Sequence, residues 1–178
     1  MRWLLLSFTT LLILSTVHPV SAHIEKGNMP DSVAEMEYRI LLEFKPEDTK
    51  TRSLLGMALL RQNKLKEAEQ EFRTILRQDP DNFNSLDALG IIKTRQKEYD
   101  EALSTLQAAI TINPSDPMVF FHLGLVLEKV NNPPEAMVAL QTALDNLKTS
   151  QTTPAVKKSQ KQEIEQALSR LQDKKTLD

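Results

Sequence analysis

An all-α fold of stacked helical hairpins is what this sequence predicts, and three observations predict it. Residues 34 positions apart match in type, unit after unit, between 49 and 150. Aromatics make up only 5% of the chain and Cys is absent. The core must therefore come from Leu, Ile, Val, Ala and Met, a mixture that suits packed helices better than a β-sandwich. Turn-forming clusters, Asp79-Pro80-Asp81-Asn82 and Asn113-Pro114-Ser115-Asp116, punctuate the units at the same interval.

The first 22 residues read as an address and not as part of the fold. Met1-Arg2 is a short positive start and Leu4 to Leu14 is an apolar run. His18-Pro19 breaks the run, and Val20-Ser21-Ala22 offers small residues to a signal peptidase. The other reading is a retained membrane anchor. Crossing a bilayer core takes about 20 apolar residues, and Leu4 to Val17 is shorter and carries Ser7, Thr9, Thr10, Ser15 and Thr16. No Cys follows the small residues to hold a lipid. The expectation is an exported protein, periplasmic or secreted, whose mature chain begins at His23.

Between 49 and 150 three units follow, at 49–82, 83–116 and 117–150. Leu55, Leu89 and Leu123 coincide, each followed by Gly56, Gly90 and Gly124; the pairs Glu67-Ala68, Glu101-Ala102 and Glu135-Ala136 recur later. Phe72, Leu106 and Leu140 come next, then Ile75, Ala109 and Ala143, and Pro80 and Pro114 close two of the units. Three of the chain's four Gly fall in this register, although Gly inside a helix costs about 1 kcal/mol relative to Ala. Such a cost makes sense where a second helix crosses close to the backbone, and the Ala of each Glu-Ala pair is the natural other half of that crossing. Each unit reads as two apolar stripes of helical period, giving helix pairs near 49–62 and 65–78, 83–96 and 99–112, and 117–131 and 133–147. Pro133-Pro134-Glu135 suits a helix start.

This pattern, from Leu55-Gly56-Met57-Ala58-Leu59 through Glu67-Ala68, Phe72 and Pro80, resembles the tetratricopeptide repeat family. The likeness extends backwards, since Ala34, Tyr38 and Pro46 stand 34 residues before Ala68, Phe72 and Pro80. Segment 31–45 thus resembles the second helix of a degenerate repeat whose first helix is missing. The resemblance implies a right-handed α-solenoid of antiparallel helix pairs, with a concave groove lined by each unit's first helix. Two departures stand out: Arg52 where Leu86 and Phe120 are apolar, and Lys93 opposite Leu59 and Leu127. Long side chains of this kind can lay their methylenes on apolar surface and keep the charge wet. Past 150 the repeat stops. Within 154–173, Ile164, Ala167, Leu168 and Leu171 make one apolar face against Lys161, Glu165, Gln166, Arg170 and Gln172. That is the build of a solenoid cap, which a stack of this kind requires at its end, although a partner-docking amphipathic helix has a similar pattern.

Chemistry finds little to work with. Without the first 22 residues, which hold one Arg and no acid, 21 basic groups face 24 acidic ones. So even a balance is no footprint for nucleic acid or an anionic membrane. Absence of Cys removes thiol catalysis, disulfides and the usual structural zinc. Beyond His23, only His122 could serve as base or ligand, and no second His or helpfully spaced acid is visible, so it reads as a satisfied structural group. Ser53 and Ser104 lack a triad pattern, no Gly loop could cradle phosphate, and Asp79, Asp81, Asp116 and Glu67 read as turn and helix-start charges. A non-enzymatic protein needing neither cofactor nor metal is the expectation.

By the resemblance, the groove is lined by Ser53, Met57, Leu60 and Arg61, by Asp87, Ile91, Thr94 and Arg95, and by Phe121, Leu125, Glu128 and Lys129. Two rows emerge in register: apolar Met57, Ile91 and Leu125, and basic Arg61, Arg95 and Lys129. An apolar strip with a basic edge suits an amphipathic helix or an extended segment bearing Asp, Glu or a C-terminal carboxylate. Each row also has a plain structural reading, as helix-packing residues and as favourable charge near helix C-termini. Some tetratricopeptide proteins grip chaperone tails with a clamp of Lys, Asn and Arg; here Ser53, Met57, Ala88 and Leu125 stand near those places, so the clamp is missing. The expectation is an adaptor or assembly factor of the cell envelope that binds a protein partner. The competing readings are a weak homo-oligomer joined through its terminal helices, a membrane-tethered scaffold, and a holdase chaperone.

Overall fold

The computed structural model describes residues 29–175, and the expected signal segment lies outside them. Eight helices run in order: α1 Asp31–Phe44, α2 Thr49–Arg61, α3 Leu65–Gln78, α4 Phe83–Gln96, α5 Tyr99–Ile112, α6 Pro117–Lys129, α7 Pro133–Thr149 and α8 Pro154–Lys175. There is no strand among the described residues, and no helix there is long and apolar enough to cross a membrane.

Local chemistry repeats with the period. Asp48, Asn82 and Asp116 each cap the first helix of a pair, accepting hydrogen bonds from the backbone N–H of Thr51, Ser85 and Val119 at 3.1 Å. Caps of this type contribute about 1 kcal/mol each. Each first helix ends on a left-handed residue: Asn63 at φ 59°, Lys97 at φ 66° and Asn131 at φ 58°. The next residue's N–H reaches back five positions, Lys64 to the Leu59 carbonyl, Glu98 to Lys93 and Asn132 to Leu127, all at 2.9 Å. This closed turn satisfies the last carbonyls and reverses the chain for the second helix.

The Gly positions have a cause different from the one the spacing suggests. A Cβ on Gly56 would lie 2.8 Å from the Phe72 ring, on Gly90 2.5 Å from Leu106, and on Gly124 2.7 Å from Leu140. The crossing is first of all a Gly against a large side chain; the Ala of the Glu-Ala pair takes part at Gly124, where the Ala136 carbonyl lies 3.3 Å from the added Cβ. Ala68, Ala102 and Ala136 are fully buried beside it.

Each hairpin packs on the next, so the apolar interior falls into successive clusters. Leu55, Leu59, Phe72 and Ile75 meet Ala88, Leu89 and Ile92 in the first; Leu106, Ala109, Val119 and Val126 form the second; Leu140, Ala143 and Leu147 meet Ile164, Ala167 and Leu171 of α8 in the third. Burying each large side chain contributes about 1.5–3 kcal/mol, and the stack is held by neighbour-to-neighbour seams. Along one side the backbones of α2 and α4, of α4 and α6, and of α6 and α8 approach closely, whereas those of α1, α3, α5 and α7 stay apart and are bridged only by long side chains, Arg39 to Glu67 and Arg73 to Glu101. One row is drawn together and the other splayed, which makes the α2–α4–α6 side the inner face of a curve.

Arg52 and Lys93 settle differently from expectation. The Arg52 guanidinium is mostly buried and donates to Glu71 at 2.7 Å and to the Pro46 carbonyl at 2.5 Å. Lys93 does not keep its charge in water: it is 5% exposed, and its Nζ lies 2.8 Å from Glu69, 2.7 Å from Glu98 and 3.2 Å from Glu101. Burial opposes the charge, but the three carboxylates outweigh it and raise the Lys93 pKa. Arg73 joins the same network through Glu69 and Glu101. In α8 the buried face of Ile164, Ala167 and Leu171 continues into Lys157, Gln160 and Lys161. Beside this seam a cleft of about 450 Å³ opens over Leu144 and Leu147, edged by Lys157, Lys158, Lys161 and Glu165 of α8.

Candidate partner-binding groove

The inner face is built by α2, α4 and α6, and the register that makes the hairpins also aligns three side chains at each level. Met57, Ile91 and Leu125 occupy the middle level. Met57 is 37% exposed, and Ile91 and Leu125 are half-buried, resting against the first and third clusters. Ile91 and Leu125 thus share their surface between core and outside, whereas Met57 belongs to no apolar cluster. Ser53, half-buried, lies one turn towards the start of α2. Met is the most adaptable of these apolar side chains, since its unbranched thioether can follow an irregular guest.

Two residues expected to line the groove belong to the interior. Leu60 is 3% exposed and Phe121 9% exposed, each inside an apolar cluster. They form the floor beneath the face and offer no contact of their own.

The basic row is not a row of free cations. Arg61 pairs with Asp31 at 2.6 Å, a residue delivered by the first turn of α1. Arg95 donates from Nη1 to the Leu60 carbonyl at 2.9 Å, tying α4 to the end of α2. Lys129, at the C-terminal end of α6, is exposed. On the same level Glu128 is 3.4 Å from Arg170 of α8, and Thr94 donates to the carbonyl of Gly90 at 2.7 Å. The face is thus positively edged at Lys129 and around Arg61, with Arg95 held as a strut.

Asp87 makes a contact that linear spacing conceals. Its Oδ1 lies 2.7 Å from His122 Nδ1, joining α4 to α6 across the inner face. The acid helpful to His122 stands one unit and one residue away in sequence, so no local motif announces it. The His122 ring also lies 5.7 Å from Phe121, tilted at 51°. Among the described residues no group of three or more carboxylate, His or Cys side chains gathers to hold a metal.

A second electrostatic joint secures the start of the stack. Glu35 is 9% exposed, receives Lys64 at 2.7 Å, Gln62 at 2.9 Å and Arg39 at 3.0 Å, and its pKa falls to about 2, chiefly through the Lys64 hydrogen bond. With Asp31 on Arg61, this network clamps α1 onto the end of α2 and sets the upper rim of the inner face.

Comparison with known proteins agrees with this architecture. The tetratricopeptide repeat family model matches three overlapping stretches, residues 21–83, 53–117 and 88–150. No curated protein matches the chain. Among solved structures it is similar to PcrH in complex with the chaperone binding region of PopD, at 16% identity and TM-score 0.63, over 71% of this chain and 92% of that one. It is similar to MamA at 18% identity and TM-score 0.60, over 85% and 91%. It is similar to TTC0263, a thermophilic protein of Thermus thermophilus, at 22% identity and TM-score 0.65, over 82% and 73%. Likeness at these identities speaks for the fold, and the family match covers most of the chain: this protein belongs to the tetratricopeptide repeat family.

Proposed function

We propose that this protein is a non-enzymatic scaffold of the cell envelope that holds a segment of a partner protein against the inner face of α2, α4 and α6. One observation supports the reading: three successive first helices approach one another along that face, each with an apolar residue at the same register position, Met57, Ile91 and Leu125. Surface of this shape suits an amphipathic helix or an extended segment whose apolar side chains seat on the strip. An acidic side chain or terminal carboxylate on the guest would meet Lys129 and could compete with Asp31 for Arg61. The solved PcrH complex, in which a protein of this fold holds a binding region of PopD, supports a peptide guest. Export rests on the build of residues 1–22, and N-terminal sequencing of the protein recovered from the envelope tests it, with His23 as the expected first residue.

Groove binding is tested with Met57→Asp and Lys129→Glu. Neither side chain is in the core, so helicity and melting should stay near wild type. Partner capture should fall with Met57→Asp at any salt, and with Lys129→Glu most strongly at low ionic strength, since exposed charges are screened beyond about 10 Å at 0.1 M salt. Undiminished capture by the double variant would end the groove reading.

A further inference from the structure

Helix α8 stands where a further unit would have its first helix. Its backbone approaches α6 as that of α6 approaches α4, and it packs on α7 as α6 packs on α5. The register carries over as well. Val119 and Val126 of α6 face back into the second cluster. One 34-residue step past Val126 comes Gln160, on the side of α8 that Ile164, Ala167 and Leu171 bury. About a quarter turn round the helix, Lys158 and Lys161 stand one step past Gly124 and Leu127. In the full units that side receives the unit's own second helix, since a Cβ on Gly124 would meet Leu140 of α7. Among the described residues no helix packs there on α8. That side is instead one wall of the cleft over Leu144 and Leu147, which Lys148 and Lys157 also edge.

The chain itself shows what satisfies a cation at this position. Lys93 of α4 is the register equivalent of Lys161, two steps earlier. Its Nζ lies 2.7 Å from Glu98 and 3.2 Å from Glu101, and these two acids open α5, the second helix of the same unit. Its other partner, Glu69 of α3, has Met137 as its equivalent in α7. Lys161 has only Glu165 of its own helix, 3.5 Å away. Lys158 makes no ion pair among the described residues. Lys148 is balanced by Asp145 at 2.7 Å, and Lys157 donates to the Lys148 carbonyl at 3.2 Å. Against these four Lys, Glu165 is the acid that lines the cleft.

We propose that the cleft seats an acidic amphipathic helix of a partner protein, which packs on α8 as α5 packs on α4. Acids in its first turn meet Lys158 and Lys161 as Glu98 and Glu101 meet Lys93, and negative charge at a helix start is favourable in its own right. Its apolar stripe covers Leu144 and Leu147, the mode by which a helix lies in a groove. Lys158, where the units have Gly, sets this guest further from α8 than α7 stands from α6, and so over the two leucines. The seat lies beside α7, apart from the inner face, and both sites can be filled at once.

The test uses the full chain and, as probe, a fluorescent acetylated peptide with the sequence of residues 98–112, which carries Glu98, Asp100 and Glu101 and no basic residue. At low salt, anisotropy should show saturable binding. Lys158→Glu/Lys161→Glu in the protein should weaken it at least about tenfold, because charges across an interface decide which partner is accepted. Helicity should not change, since both side chains are exposed. The same protein variant should bind a peptide carrying Glu98→Lys and Glu101→Lys better than it binds the original. Absence of saturable binding would overturn the proposal, as would a charge-reversed pair that binds no better. Binding that the protein variant leaves intact would do so too, since the peptide would then sit on α4 in exchange for α5, or elsewhere. Two controls decide the occupant. A wild-type dimer in sedimentation that the variant loses would make it a second copy, and binding to phosphatidylglycerol vesicles that the variant loses would make it a lipid surface; either result overturns a partner helix.

Discussion

Replacing Gly90 by Ala sets two known effects against each other, and the structure decides which wins. Gly90 sits within α4, where Ala would gain about 1 kcal/mol of helix propensity. The new Cβ, however, would stand 2.5 Å from both Cγ and Cδ2 of Leu106, against an optimal carbon–carbon separation of about 3.5–4.0 Å. Relief requires about 1 Å of movement by a side chain that is fully buried. Overpacking of this kind costs about 1–3 kcal/mol, and a full ångström in a closed site belongs at the upper end. The net expectation is destabilisation by about 1–2 kcal/mol, read as a lower urea midpoint at unchanged slope. Leu106→Ala alone should cost about 2–5 kcal/mol through the cavity it leaves. In the double variant the Cβ at 90 occupies part of that cavity, so the combined loss should fall short of the sum by about 1 kcal/mol or more. Gly90→Leu should unfold the stack outright. A Gly90→Ala protein more stable than wild type, or strict additivity in the double, would show that α4 and α5 do not cross closely here.

Three other perturbations follow from the same structure. Lys97 holds a left-handed conformation that Asn63 and Asn131 hold in the neighbouring units; Lys97→Asn should raise the urea midpoint by about 0.5–1 kcal/mol of stability, because Asn tolerates that region better. Lys93→Leu copies the residue found at 59 and 127 but removes the cation shared by Glu69, Glu98 and Glu101, leaving Arg73 to hold Glu69 and Glu101, so it should destabilise by about 1–3 kcal/mol, and a neutral result would mean that the network is solvated. Glu35 and Glu69 both titrate near 2 when folded, against an ordinary value of 4.5. Their pKa values are depressed, so their contribution is whole above 4.5 and disappears as pH falls towards 2. Thermal melts should show that decline, and Glu35→Gln should flatten it.

What the sequence made legible follows the distance over which each interaction acts. The helices fall where the period and the turn clusters place them, because caps, left-handed ends and apolar stripes are local and repeat every 34 residues. Size complementarity acts across the hairpin, and there spacing told only part: the Gly positions answer first to Phe72, Leu106 and Leu140, sixteen residues on, and only at Gly124 to the conspicuous Ala as well. Charge was least legible. Lys93 finds its carboxylates at three positions on two other segments, and His122 finds Asp87 beyond a whole unit. Arg61 is claimed by Asp31, from a helix outside the three full units. The groove residues share a register that sequence reveals. How far each protrudes depends on how tightly neighbouring helices approach, which left Met57 exposed and buried Leu60 and Phe121.

The role given to the inner face can be tested without knowing the partner. A photo-reactive amino acid at Met57 or Leu125 would look into the curve; at Gln70 or Ser104, both on second helices, it would look away from it. Irradiated in the native host, the inner positions should each yield one discrete protein adduct and the outer positions none. Equal adducts from both sets, or adducts from Gln70 and Ser104 alone, would contradict a guest held along α2, α4 and α6.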